Sequence, residues 1–209
     1  MPNRPPDARR QGELAAVALT VVAYFVCYDV LNVRVAYVVA TSVGWAAYVG
    51  NRLVRHPGCL QAYGLSRRGL ARSALAVASC VALGAAGCAA VGFATGRLHV
   101  DRGLLLALAL YPLWGVVQQF LVQAMVVRNL AGNVPPRALV GLAAILFGAI
   151  HLPDLALCAA IAVLGAAFTA IYLRWRNVWP LGIGHGLLGA VFYVWALGRD
   201  PWAEMFGAP

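Results

Sequence analysis

The chain has 209 residues, 62% of them hydrophobic and only 11% charged, and a mean hydropathy of +0.77. A soluble domain is about half apolar and about a quarter charged. The excess here lies in long uncharged runs, which excludes a soluble globular protein and predicts an all-α integral membrane bundle. The net charge of +9 comes from 16 basic residues, all Arg. They fall between apolar runs rather than in one tail or on one face, so they set membrane orientation and do not predict a nucleic-acid partner. The five cysteines, Cys27, Cys59, Cys80, Cys88 and Cys158, lack metal or disulfide spacing and read as small apolar residues.

The start, "MPNRPPDARRQGE", is polar and proline-rich and is expected to be disordered and cytoplasmic over residues 1–13. Apolar segments follow at 14–31, 35–50, 73–95, 104–127, 138–152, 155–173 and 180–197. Residues 14–103 thus form an N-terminal set of transmembrane helices, 104–197 a transmembrane core, and 198–209 a tail. A bilayer core needs roughly 20 helical residues. About seven crossings are expected, with the second and fifth segments short. The first segment has a basic flank but no small-x-small cleavage site, so it is read as a helix and not as a signal peptide.

Seven crossings with the N-terminus inside place Arg4, Arg9, Arg10, Arg52, Arg55, Arg67, Arg68, Arg72, Arg128, Arg137, Arg174 and Arg176 in inner segments. Only Arg34, Arg97, Arg102 and Arg199 fall outside. That asymmetry predicts a cytoplasmic N-terminus; the expected location is a plasma membrane, taken as bacterial. The inner loop "QAYGLSRRGLARS" fits a surface segment against anionic headgroups.

Strongly polar groups inside a membrane segment face the bundle interior and mark candidate sites. Here they are Asp29, Gln118, Gln119, Gln123, His151, Asp154 and His185. Asp29, near the outer end of its helix, reads as interfacial. Gln119 and Gln123 stand one helical turn apart, with Gln118 near the same side. At about 1.5 Å per residue, the two adjacent glutamines lie about 13 Å from the inner ends, His185 about 8 Å and His151 about 20 Å. A shared internal site is therefore possible. Each residue alone has an ordinary structural reading, since Gln and His commonly bridge membrane helices by hydrogen bonds.

The order of a polar-doublet helix, then "FGAIHLPD", then "NVWPLGIGHGLLGAVF" resembles the CPBP family of intramembrane peptidases, which includes the type II CAAX prenyl endopeptidases. That family carries Glu-Glu-x-x-x-Arg, Phe-x-x-x-His and His-x-x-x-Asn or Asp on successive helices. The resemblance spans about residues 104–197, and "YGLSRRGL" looks like the stretch before the family's third helix. Phe147, His151 and His185 match. Gln118 and Gln119 stand where the family has its Glu doublet, Gln123 where it has Arg, and Gly189 where it has Asn or Asp.

The resemblance implies an endopeptidase in which the first Glu activates water and the Asn steadies the oxyanion. An amide is barely basic, so Gln118 cannot serve as that base. Gly189 has no side-chain donor, a change expected to cost about 10²–10³ in rate. Gln119 and Gln123 replace an ion pair by a neutral pair, avoiding the unpaired buried charge that a single change would leave. Asp154 either orients His151 or, the favoured reading, caps the following helix. Two His and one carboxylate could hold a divalent ion, but without the Glu pair no metal or other cofactor is expected.

Two readings follow. One is a peptidase acting on a membrane-associated or lipidated peptide, with water activated by an imidazole of the His151 and His185 pair and Gln118 and Gln119 orienting substrate. The other is a non-catalytic relative that binds a hydrophobic peptide or prenyl chain. A transporter has less support, because no ionisable chain crosses the membrane and no inverted repeat is visible.

Overall fold

A computed structural model describes residues 7–206 of the chain. Helix α1 (Asp7–Phe25) runs on as a π-helical turn, Val26–Val30. It is followed by α2 (Arg34–Arg55), the short α3 (Cys59–Tyr63) and α4 (Leu70–Ala94). Helix α5 (Arg102–Gln119) continues through a π-helical stretch, Phe120–Val127, into the single turn α6 (Arg128–Leu130). Then come α7 (Pro136–Ala149), α8 (Leu155–Trp175), α9 (Trp179–Val191, extended by the π-helical Phe192–Leu197) and α10 (Pro201–Phe206). No strand occurs among the described residues.

All seven apolar segments are helical, and five helices are long and apolar enough to cross a bilayer: Ala8–Val30, Leu70–Ala94, Arg102–Leu130, Leu155–Trp175 and Trp179–Leu197. Seven crossings are not established. Helix α7 has 14 residues, a rise of about 21 Å against a hydrocarbon core of about 30 Å. Helix α2 is long enough but carries Arg34, Asn51, Arg52 and Arg55, and does not reach the hydropathy of the other five.

The N-terminus also departs from expectation. Disorder was expected to residue 13, but α1 begins at Asp7; the part of that expectation covering residues 1–6 lies outside the described residues. Glu13 explains the early start. Its side chain is only 3% exposed, paired with Arg128, and accepts from Asn129 Nδ2 (2.7 Å), Tyr48 Oη (2.5 Å) and Tyr63 Oη (3.3 Å). Arg128 also lies over the Tyr63 ring, 4.4 Å from its centroid. One carboxylate thus joins α1, α2, α3 and α6. The basic loop is tied down as well: Asn177 Nδ2 donates to the carbonyls of Ser66 (2.8 Å) and Arg68 (3.0 Å), and Trp179 Nε1 to that of Leu65 (2.9 Å).

These contacts define one end of the bundle, and the arginines assigned to inner segments from Arg9 onward gather there. The opposite end is marked by Arg97 to the Ala196 carbonyl (3.2 Å), Trp195 to that of His99 (2.7 Å), Trp202 to that of Gly103 (2.9 Å) and Arg34 to that of Glu204. It holds only Arg34, Arg97, Arg102 and Arg199.

The tightest helix pair is α5 with α9. A Cβ at Gly182 would lie 2.3 Å from the Val116 Cα, and one at Gly186 2.4 Å from the Pro112 nitrogen. Glycine permits this backbone approach, the usual basis of close packing between membrane helices. Gly186→Ala is expected to force the pair apart, at an overpacking cost of about 1–3 kcal/mol. A lower midpoint of thermal unfolding in detergent would show it.

Candidate active site

Close packing of α5 on α9 brings Gln118 to His185. His185 Nε2 lies 3.1 Å from Gln118 Oε1, and the ring is 6% exposed. Helix α7 delivers the second imidazole just past its C-terminus. His151 Nδ1 is 2.9 Å from the Phe147 carbonyl oxygen. A carbonyl only accepts, so Nδ1 carries the proton and Nε2 keeps the lone pair. Phe147 packs between the imidazoles, its ring centroid 5.7 Å from that of His151 and 5.1 Å from that of His185.

Gln118, His151, His185 and Gly189 line one cavity of about 440 Å³. At Gly189 a Cβ would meet nothing closer than the Tyr111 ring, 3.8 Å away. The missing side chain therefore leaves usable space and no donor of its own.

Gln119 and Gln123 go elsewhere. Both are fully buried, and neither lines the cavity. Gln123 Nε2 donates to Gln119 Oε1 (3.1 Å) and to Thr169 Oγ1 (3.1 Å). The expected neutral pair at i, i+4 is thus present, but as an internal bridge from α5 to α8. Thr169 was not anticipated, since one hydroxyl in "AAFTAIY" gives no signal beyond the apolar run around it. The adjacent glutamines therefore differ in place: Gln118 faces the cavity, whereas Gln119 is fully buried away from it and paired with Gln123.

Asp154 caps α8, accepting from Leu157 N–H at 3.0 Å, and its other oxygen lies 2.6 Å from Arg199 Nη1. It lines the cavity mouth; its backbone N–H donates to the His151 carbonyl (3.1 Å), and among the described hydrogen bonds its carboxylate makes none to the His151 ring. The Leu157 N–H, followed by the Arg199 charge, holds its carboxyl below the ordinary value of 3.8, against partial desolvation. A depressed folded-state pKa gives stability that is present above the unfolded value and lost as pH falls through the folded one. Thermal stability in detergent should therefore be flat above about pH 5 and fall below about pH 4. Asp154→Ala should lower it by about 1 kcal/mol at neutral pH and flatten the acid limb.

The donor set does not suit a resident divalent ion. Among the described residues no three His, Cys, Asp or Glu side chains stand close enough to share one. Asp154 is engaged by Arg199 and Leu157, and the remaining oxygen near the imidazoles is a neutral amide.

No curated protein and no solved structure matches the chain. A protein-family model does match over residues 100–191, the stretch that carries every side chain of the cavity floor. Over that stretch the chain is similar to the family described as type II CAAX prenyl endopeptidase Rce1-like.

Proposed function

We propose that the chain is a CAAX-protease-like intramembrane endopeptidase that works without the glutamate base, on a membrane-associated or lipidated peptide. The observation that carries this is the His151–Phe147 hydrogen bond, which leaves Nε2 free to accept a proton in a cavity shared with His185 and Gln118. In the proposed reaction a water oxygen attacks the scissile carbonyl carbon and its proton passes to His151 Nε2. The C–N bond then breaks, and the leaving nitrogen takes that proton back. Gln118 and His185 hold the water and the substrate carbonyl by hydrogen bonds. With no side-chain donor at Gly189, turnover is slower than a fully equipped oxyanion site would allow.

His151→Ala is expected to lower kcat/KM at least about 100-fold, read on farnesylated and unmodified membrane peptides with purified protein. Unchanged cleavage by this variant would overturn the assignment.

The second reading, a non-catalytic relative that binds a hydrophobic peptide or prenyl chain, is favoured by one contact. His185 Nε2 is already occupied by the Gln118 amide, so the pair resembles a structural bridge as much as a poised one. A wild type that binds such peptides and leaves them intact would select this reading.

A further inference from the structure

The cavity has a direction. Its floor is Gln118, His151 and His185, and its other walls come from the arginine-poor end: Tyr28 and Asp29 after α1, Arg34 at the start of α2, Arg199 before α10, and Trp202 and Glu204 within it. No residue of the 52–69, 128–137 or 174–179 segments lines it. Between the floor and the arginine-rich end the interior is filled. Gln119, Gln123, Thr169, Phe168, Tyr172 and Leu181 are all fully buried. The site is thus sealed toward the end that the arginine bias places in the cytoplasm and reachable from the other.

We infer that the cavity is entered from the non-cytoplasmic side, and that its substrate is the extracytoplasmic part of a membrane-anchored peptide. The occupant's chemistry rests on the peptidase reading above; the side of entry does not. The walls between mouth and floor are aromatic and aliphatic, with Tyr111, Trp114, Ile161 and Leu164 among them. They suit an extended apolar segment. The mouth carries both charges, and α10 closes over it as a strap. Arg34 donates to the Glu204 carbonyl, Arg199 pairs with Asp154, and its Nε lies 3.8 Å from Glu204. Opening requires these guanidinium contacts to part, while the buried floor stays in place.

Thiol labelling tests the direction. The five native cysteines are replaced, and one cysteine is introduced at Gly189, where the structure leaves room, in the full chain expressed in a bacterial inner membrane. Controls carry Leu152→Cys at the mouth or Arg68→Cys at the opposite end. A membrane-impermeant thiol reagent added to intact cells should label Gly189→Cys and Leu152→Cys. Arg68→Cys should react only after permeabilisation. Adding Arg34→Ala should speed labelling at 189 severalfold and leave Leu152→Cys unchanged.

Labelling of Gly189→Cys only from the cytoplasmic side would overturn the proposal. So would its silence in cells where Leu152→Cys reacts. Two single-span reporter peptides, with the same cleavable segment outside or inside, separate this inference from the peptidase reading. Cleavage of the outer reporter alone supports both, and cleavage of the inner one alone overturns the direction. If neither is cut while 189 labels from outside, the direction stands and the peptide occupant falls together with the peptidase reading.

Discussion

Gln118→Glu is expected to raise kcat/KM for peptide cleavage by about 10²–10⁴-fold, the span that a positioned general base contributes. The geometry for a carboxylate is already in place. Gln118 is half-buried at the cavity floor, and its oxygen sits 3.1 Å from His185 Nε2. Glutamate keeps that acceptor and adds a basic oxygen where the amide has none. The new charge has a partner in His185 or its proton, so it is not left isolated in a low-dielectric site. Steady-state kinetics on the same farnesylated and unmodified peptides would measure the gain. With His151→Ala added, the variant should keep most of its rate, because the carboxylate supersedes the imidazole as base. If Gln118→Glu is as slow as the wild type, proton abstraction is not what limits this cavity, and the binding reading gains.

Glu13→Ala is expected to cost about 3–5 kcal/mol, the range for removing one partner of a buried ion pair. Arg128, whose side chain is 10% exposed, would be left facing Tyr63 and Asn129 with its counter-charge gone. Thermal unfolding in detergent should fall by on the order of 10 °C for a chain of this length. Glu13→Gln should fall less, because an amide oxygen still accepts from Tyr48 and Asn129. A shift below about 2 °C for the alanine variant would mean that water reaches Arg128 and replaces the carboxylate.

Glu13 also shows where reading the chain residue by residue stops. In "RRQGELAA" it looks like one more polar residue before the first apolar run. Its partners Tyr48, Tyr63, Arg128 and Asn129 lie 35 to 116 positions away, and no local pattern announces them. The glutamines divide in the same way. Their spacing predicted that Gln119 and Gln123 would pair, and they do, because i, i+4 geometry is local. That Gln118 would turn to the cavity, and that Gln123 would reach Thr169 as well as Gln119, depends on which neighbouring helix each side chain meets. Asp154 lies between these cases. Its cap on α8 follows from "HLPDLAL" alone, whereas its pairing with Arg199 needs the end of α9 brought back to the start of α8.

What the amino-acid order determined by itself is whatever depends on short spacing and on transfer between water and lipid. That covers the helical character of the apolar segments, the sorting of arginines to one end, the His151 and Gln119–Gln123 turns, and an amide in place of any carboxylate at position 118. The tertiary structure alone decided that α5 and α9 approach closely at glycines, setting Gln118 against His185. It also decided that a filled layer seals the floor on the arginine-rich side, and that α10 straps the mouth on the other. Those outcomes come from side-chain volumes and buried polar partners meeting across helices far apart in the chain. Such terms are energies of contact, and they exist only once the bundle has closed.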